Sequence, residues 1–354
     1  LRVLQADIRA ALRAHMRSQE VGVLSREVRD DSGDTIFGID AEVEDILIQH
    51  CQEWGKSQHF VLIAEGIDPD GVQFGQPGRG GPPFRLLVDP IDGTRGLMFD
   101  KRSAWCLMGI APDKGNATRL SDIEVAVMTE LPTTRQSTSD VLWAIRGKGA
   151  LGERHDLGTG APRPLTLVPS QAKTLRHGFA TVCNFFQGGK ELISRLEEAI
   201  FLRALGGWNP AKAEIYADQY ISSGGQLAEV ALGRDRFVLD VRPLVHRKLG
   251  AASSLACRPY DVVTMRIAME AGCVVCDPFG QPLDAPLDVT TNVAFACYAN
   301  KTLADQLIPI VREEVQRHLG VTLTWPRQPP GPPSSARRHA GSSPRPCRPC
   351  RSAA

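Results

Sequence analysis

The chain has 354 residues, 42% of them apolar and 23% charged, with a mean hydropathy of −0.16. Such values exclude a collagen-like fibre, a coiled coil and disorder throughout, and the length predicts two domains or one large one. The 41 Lys and Arg match 40 Asp and Glu, but six Arg and no acid fall in Pro326–Ala354, leaving 35 basic against 40 acidic residues in the body, which is not the basic face that specific nucleic-acid binding needs.

No run approaches the ~18 apolar residues that span a bilayer, so no membrane partner is expected. The chain opens on Leu1 rather than Met, and its first residues show no signal-peptide core. Nine Cys at irregular spacing predict reduced thiols and a cytoplasmic protein.

Leu4, Ile8, Ala11, Leu12 and His15 recur at spacings of three and four, predicting a helix over residues 1–20. A turn-rich stretch follows from Arg29 to Asp34. Asp40, followed by Glu42, Glu44 and Asp45, predicts a helix start, with a stop near Trp54 and Gly55. Phe60–Ala64 and Arg85–Val88 read as buried strands on either side of a Gly/Pro-rich loop, and Pro90 is expected to stop the second ladder at Asp89. Further strands are expected at Trp105–Ala111, Ile123–Thr129 and Val141–Ile145. Three Gly and three Pro in Gly152–Pro169 suggest a domain boundary.

Beyond it strands and helices alternate. Strands are expected at Phe179–Val182, Phe237–Val241, Cys273–Cys276 and Val293–Ala299, and helices at Glu191–Leu205, Gly224–Ala231, Asp261–Ala271 and Leu303–His318, a pattern that suggests an α/β second half. The expected division is 1–158, an α+β domain; 159–325, an α/β domain; and 326–354, a disordered Pro/Arg-rich tail with eight Pro in 29 residues.

The chemistry concentrates in Leu86-Leu87-Val88-Asp89-Pro90-Ile91-Asp92-Gly93-Thr94. A buried strand carries Asp89 to a sheet edge, and Asp92 follows three residues later. Two carboxylates that close repel unless a cation lies between them. An all-oxygen donor set without His or Cys selects Mg²⁺ over Zn²⁺. Gly93 and Thr94 then offer backbone N–H groups and a hydroxyl at an expected helix start, which is an anion site. A metal beside an anion site points to phosphate chemistry.

The Asp-Pro-Ile-Asp-Gly-Thr run, 89–94, resembles at all six positions the signature of the inositol monophosphatase family, within the lithium-sensitive, magnesium-dependent phosphatase superfamily. Around it, Glu65 stands at a strand end, Tyr260-Asp261 precedes Glu270-Ala271-Gly272, and Ser222-Ser223-Gly224-Gly225-Gln226 leads to Ala231-Leu232-Gly233-Arg234. Ala144–Ala150 is similar to the family's glycine hairpin. The resemblance runs from about Asp34 to Leu319.

It implies a layered α/β/α/β/α sandwich of the inositol monophosphatase and fructose-1,6-bisphosphatase type. It also implies two-metal hydrolysis of a small phosphate ester, with two or three Mg²⁺ per site, inhibition by lithium and a homodimer. Carried over residue by residue, Asp89 bridges the ions, Glu65 and the Ile91 carbonyl complete the first site, and Asp92 and Asp261 the second. Thr94, paired with Asp40, orients the water; Gly93 and Thr94 hold the phosphate; Gly224, Gly225 and Gln226 contact the substrate, and Arg95 is a candidate for a second phosphate.

The chain departs from the family in places. One carboxylate, Glu65, stands where two adjacent Glu are usual, and Phe37 stands where Thr is usual. Arg95-Gly96-Leu97 is closer to the Lys-Gly-Phe of the phosphoadenosine-phosphate branch. An inositol or similar polyol monophosphate leads as substrate; a 3′-phosphoadenosine or sugar bisphosphate is the alternative. A weakly catalytic homologue serving as a scaffold is the rival class, resting on the missing Glu. Cys273 and Cys276 are expected as core thiols. The eight scattered His argue against zinc catalysis, and Cys347 and Cys350 lack two further ligands.

Overall fold

A computed structural model describes residues 1–18, 27–31, 34–68, 70–76, 83–251 and 256–321, with backbone alone at 27–31 and 34–42. The expected tail, with Cys347 and Cys350, lies outside the described residues.

Helix α1 (Arg2–Ser18) and helix α2 (Gly38–Gly55) flank a short antiparallel hairpin, β1 (Glu27–Asp31) and β2 (Asp34–Phe37). The next strands are β3 (Phe60–Ala64), β4 (Val72–Phe74), β5 (Phe84–Asp92), β6 (Ala104–Pro112), β7 (Val125–Leu131), β8 (Thr138–Ile145), β9 (Ala150–Asp156) and β10 (Pro162–Leu165). They form one sheet ordered β10-β9-β8-β7-β6-β5-β3-β4. The short helix α3 (Thr94–Met98) leaves the end of β5.

The second sheet is ordered β12-β11-β13-β15-β14, from β11 (Gly178–Val182), β12 (Ile215–Tyr216), β13 (Asp235–Asp240), β14 (Val274–Cys276) and β15 (Phe295–Tyr298). Its helices are α4 (Lys190–Leu205), α5 (Ser223–Ala231), α6 (Arg242–Leu249), α7 (Met265–Ala271) and α8 (Lys301–Leu319). A 3₁₀ turn at Tyr260–Val262 precedes α7, where the pattern predicts one continuous helix from Asp261.

Five layers result. Helices α1 and α2 cover the outer face of the eight-stranded sheet with Leu4, Ile8, Leu12, Val43 and Leu47, all essentially inaccessible. Helices α5 and α7 lie between the sheets and touch both. Helices α4 and α8 pack together against the far face of the second sheet. The order is the expected α/β/α/β/α.

Gln5 of α1 is buried against the sheet and fully used. Its Nε2 donates to the carbonyls of Cys106 and Val127, both at 3.0 Å, and its Oε1 accepts from Thr129 Oγ1 at 2.8 Å. A buried amide is tolerated only with partners of this kind.

Two sequence expectations change. The segment expected to divide the domains contributes a hairpin, because β10 pairs with β9 and extends the first sheet to Leu165. The ladder expected to stop at Asp89 continues to Asp92 through a bulge. All seven described cysteines, Cys273 and Cys276 among them, are free and buried.

Candidate active site

The site is built at the carboxyl end of β5. Strands β3 and β5 run parallel, pairing Ala64 with Val88, so Glu65, just past β3, comes beside Asp89, still within β5; the Glu65 N–H donates to the Val88 carbonyl at 3.4 Å. Residues three apart on a regular strand face opposite ways. Here Asp89 pairs with Leu107 and Asp92 with Trp105, so β5 spends one residue more than β6 between them. That bulge turns Asp92 to the side of Asp89, and Pro90, which has no N–H to give a ladder, sits inside it. The Ile91 N–H donates to Asp89 Oδ1 at 3.0 Å and fixes the turn. Gly93 follows at φ 103°, a left-handed conformation that glycine takes without strain, and α3 begins.

Asp261 arrives from the other half of the chain on the 3₁₀ turn, held by the Arg258 N–H at 2.5 Å. Oxygens of Asp89, Asp92 and Asp261 all lie within 4.8 Å of one another. Asp89 and Asp92 are buried and Asp261 is half-buried. Burial and the charges of Glu65, Asp92 and Asp261 hold the Asp89 carboxyl well above the usual carboxylate range. Burial, with Asp92 adding to it, pushes Asp261 up to about 8. Burial pushes Asp92 up to about 6, against hydrogen bonds that pull it down.

Three converging, desolvated carboxylates are a site that a cation completes. The donors are all oxygen, and no His enters the cluster among the described residues. That chemistry fits Mg²⁺. Glu65 stands outside the 4.8 Å triangle, yet its charge is the largest acting on Asp89.

The turn before α5 serves Asp92. Ser222 Oγ donates to Asp92 Oδ2 at 2.8 Å and accepts from the Gly225 N–H at 2.9 Å, capping the helix. The Gly224 N–H donates to Asp92 Oδ2 at 2.6 Å, and the Ser223 N–H to Oδ1 at 3.3 Å. The positive end of α5 therefore points at Asp92. Gly224 and Gly225 were expected at the substrate, but these N–H groups are engaged inside the chain. Gln226 is buried too: its Nε2 donates to the Tyr220 carbonyl at 3.0 Å, and its Oε1 accepts from Cys183 Sγ at 3.3 Å.

Thr94 Oγ1 donates to the Ile91 carbonyl at 2.8 Å, joining two expected site residues to each other. The side chain of Asp40, the expected partner of Thr94, lies outside the described residues. The Arg95 guanidinium lies 5.3 Å from the Phe186 ring centroid.

Two neighbours, Asp240 and Arg242, escape a reading of the sequence, and Tyr260, named there beside Asp261, gains a contact that the sequence does not disclose. Tyr260 Oη donates to Glu65 Oε1 at 3.3 Å. Asp240, at the end of β13, is inaccessible and takes the Arg242 backbone N–H and Nε on Oδ1, both at 3.0 Å, and Nη2 on Oδ2 at 2.6 Å. Arg242 in turn lies 4.3 Å from the Phe185 ring centroid. The strand-end acid Asp240 followed by Arg242 is the one local signal that could have marked this pair.

No family model matches the chain, and no curated protein matches it in sequence. Solved structures do. An inositol monophosphatase (IMPase) of Thermotoga maritima is 17% identical with a TM-score of 0.57, covering 90% of this chain and 100% of that one. The extragenic suppressor protein SuhB of Bartonella henselae is 16% identical with a TM-score of 0.58, covering 87% and 95%. The fructose-1,6-bisphosphatase of Leishmania major is 14% identical with a TM-score of 0.58, covering 87% and 90%. At these identities the likeness is one of fold. Together with the Asp89–Thr94 signature, it places this chain in the α/β/α/β/α fold of the inositol monophosphatases and fructose-1,6-bisphosphatases.

Proposed function

We propose that the chain is a Mg²⁺-dependent phosphatase that hydrolyses the phosphate monoester of a small polyol, with an inositol monophosphate as the lead substrate. The observation that carries this reading is the triangle of Asp89, Asp92 and Asp261 oxygens at the end of a bulged strand in a phosphatase-like fold. Asp89, Asp92, Asp261, Glu65 and the Ile91 carbonyl would hold two or three Mg²⁺. Bound there, the ions lower the pKa of water and offset charge on the reacting phosphate oxygens.

The residues divide the remaining work. Asp92 is oriented by Ser222, Ser223 and Gly224, so the cluster is set before substrate arrives. Gly93 and Thr94 are assigned to the phosphate, and Thr94, with Asp40, to holding the attacking water. Arg95 is assigned to the second phosphate of the alternative bisphosphate substrates, and an inositol monophosphate makes no use of it. Lithium inhibition, a homodimer and a cytoplasmic location belong to the same reading. Among the described residues no helix is long and apolar enough to cross a membrane.

The test is phosphate release from inositol 1-phosphate, glycerol phosphate, fructose 1,6-bisphosphate and phosphoadenosine phosphate, each with Mg²⁺ and with EDTA. Fastest Mg²⁺-dependent release from inositol 1-phosphate supports the lead substrate. Preference for a bisphosphate moves the assignment to that branch. Silence across the panel in a chain that binds no Mg²⁺ favours the scaffold reading.

A further inference from the structure

We infer that the Tyr260 hydroxyl is a positioning group for Glu65, holding that single carboxylate at the rim of the metal cluster; the inference rests on the metal-site reading above. Glu65 follows the last residue of β3, and Gly66 turns the chain immediately after it at φ 77°. A glutamate in a turn has three side-chain torsions to fix, and fixing them costs conformational entropy. Tyr260 has two, and its ring is buried in the hydrophobic cluster between the sheets. Its Oη donates to Glu65 Oε1 at 3.3 Å across 195 residues of sequence.

The placement couples two ligand elements. Tyr260 and Asp261 are consecutive in one 3₁₀ turn. That turn thus brings Asp261 into the triangle and, one residue earlier, the hydroxyl that reaches Glu65. Glu65 lies outside the triangle, with its charge felt at Asp89. A carboxylate at that distance contributes to an ion only when its torsions are held. The phenol thus holds one of the two carboxylate oxygens of Glu65.

The experiment is a double-mutant cycle on the full chain. The affinity for Mn²⁺, a paramagnetic probe of the Mg²⁺ site, is read by electron paramagnetic resonance in wild type, Tyr260→Phe, Glu65→Gln and the double variant. Melting temperatures are read without divalent ion. Tyr260→Phe removes one oxygen; binding is expected to weaken about tenfold, the scale of one hydrogen bond to a charged group, with melting unchanged. In the Glu65→Gln background the same change is expected to add almost nothing.

Wild-type affinity in Tyr260→Phe overturns the inference. So does an equal loss in both backgrounds, or a Tyr260→Phe chain that melts well below wild type without ion, since each assigns the hydroxyl elsewhere. A wild-type chain that binds no Mn²⁺ overturns the metal-site reading itself, and this inference with it.

Discussion

Ser222 Oγ donates a hydrogen bond to Asp92 Oδ2 at 2.8 Å while accepting one from the Gly225 N–H, so one hydroxyl both orients a carboxylate of the cluster and caps α5. The two residues are 130 positions apart, and their bond fastens the eight-stranded sheet to the helix layer between the sheets. Ser222→Ala removes the cap and leaves Asp92 short of a donor. The combined loss is about 1–3 kcal/mol of stability by chemical denaturation, with a weaker affinity for divalent ion. Ser222→Thr is expected to restore most of both.

Gly224 sits where a side chain does not fit. A Cβ there would lie 2.5 Å from Leu107 Cδ1 and 3.0 Å from Asp92 Oδ2. Gly224→Ala is therefore expected to push α5 off β6 and displace Asp92, costing about 1–3 kcal/mol of stability and most of the phosphatase activity. Wild-type rates in a stable Gly224→Ala chain would show that α5 stands farther from the sheet than this.

The Asp240–Arg242 pair predicts a different pattern. Arg242→Met leaves the Asp240 carboxylate buried and alone, a loss of about 3–5 kcal/mol. Adding Asp240→Leu removes the stranded charge and is expected to recover most of it. Arg242 also lowers the pKa of Asp261, so Arg242→Met should further raise that carboxyl. Equal stability of single and double variants, measured in urea, would contradict the assignment.

The raised carboxyls fix a pH dependence. Asp261 is pushed up to about 8 and Asp92 to about 6 by burial, and Asp89 is raised in the same direction. A group raised on folding binds its proton more tightly in the folded state, so its stabilisation is full below the unfolded value near 3.8 and lost as pH rises through the folded value. Without divalent ion the melting temperature should therefore fall between pH 5 and pH 9. Asp235, raised to about 7 by burial, and Glu197, Glu229 and Asp277, raised by burial, add to the fall, while His246, lowered by burial, works in the opposite sense. The clean reading is the gain in melting temperature on adding Mg²⁺, which is expected to grow with pH. A gain that shrinks towards pH 9 would contradict a carboxylate cluster.

The site was legible in the sequence where it is local. Asp89 to Thr94 carries its chemistry within six residues, and the resemblance adds Glu65 at the end of a strand, which the parallel pairing of β3 and β5 sets beside Asp89. Alternation and apolar periodicity predicted the separate elements and an α/β second half, while the five layers came from the resemblance that the Asp89–Thr94 run carries. What could not be read are relations made only by folding. Nothing local to Pro90 says that its strand bulges and continues, because the extra residue is defined against β6. Nothing in Ser222 to Gln226 says that these groups turn inward to Asp92 and Tyr220 rather than towards a ligand. Nothing local to Gln5 says that it is buried, because the carbonyls of Cys106 and Val127 that take its amide come from distant strands.

The central claim is that the carboxylate triangle drives phosphate ester hydrolysis through a divalent ion. Its most direct test is the rate of phosphate release from inositol 1-phosphate by wild type and by Asp89→Asn at saturating Mg²⁺, each chain shown to be folded by its melting curve. The account predicts Mg²⁺-dependent release by wild type and a loss on the order of a thousandfold in Asp89→Asn, the scale of removing a group that acts on transition-state charge. Equal rates in the two folded chains, or release by wild type that persists in EDTA, would contradict it.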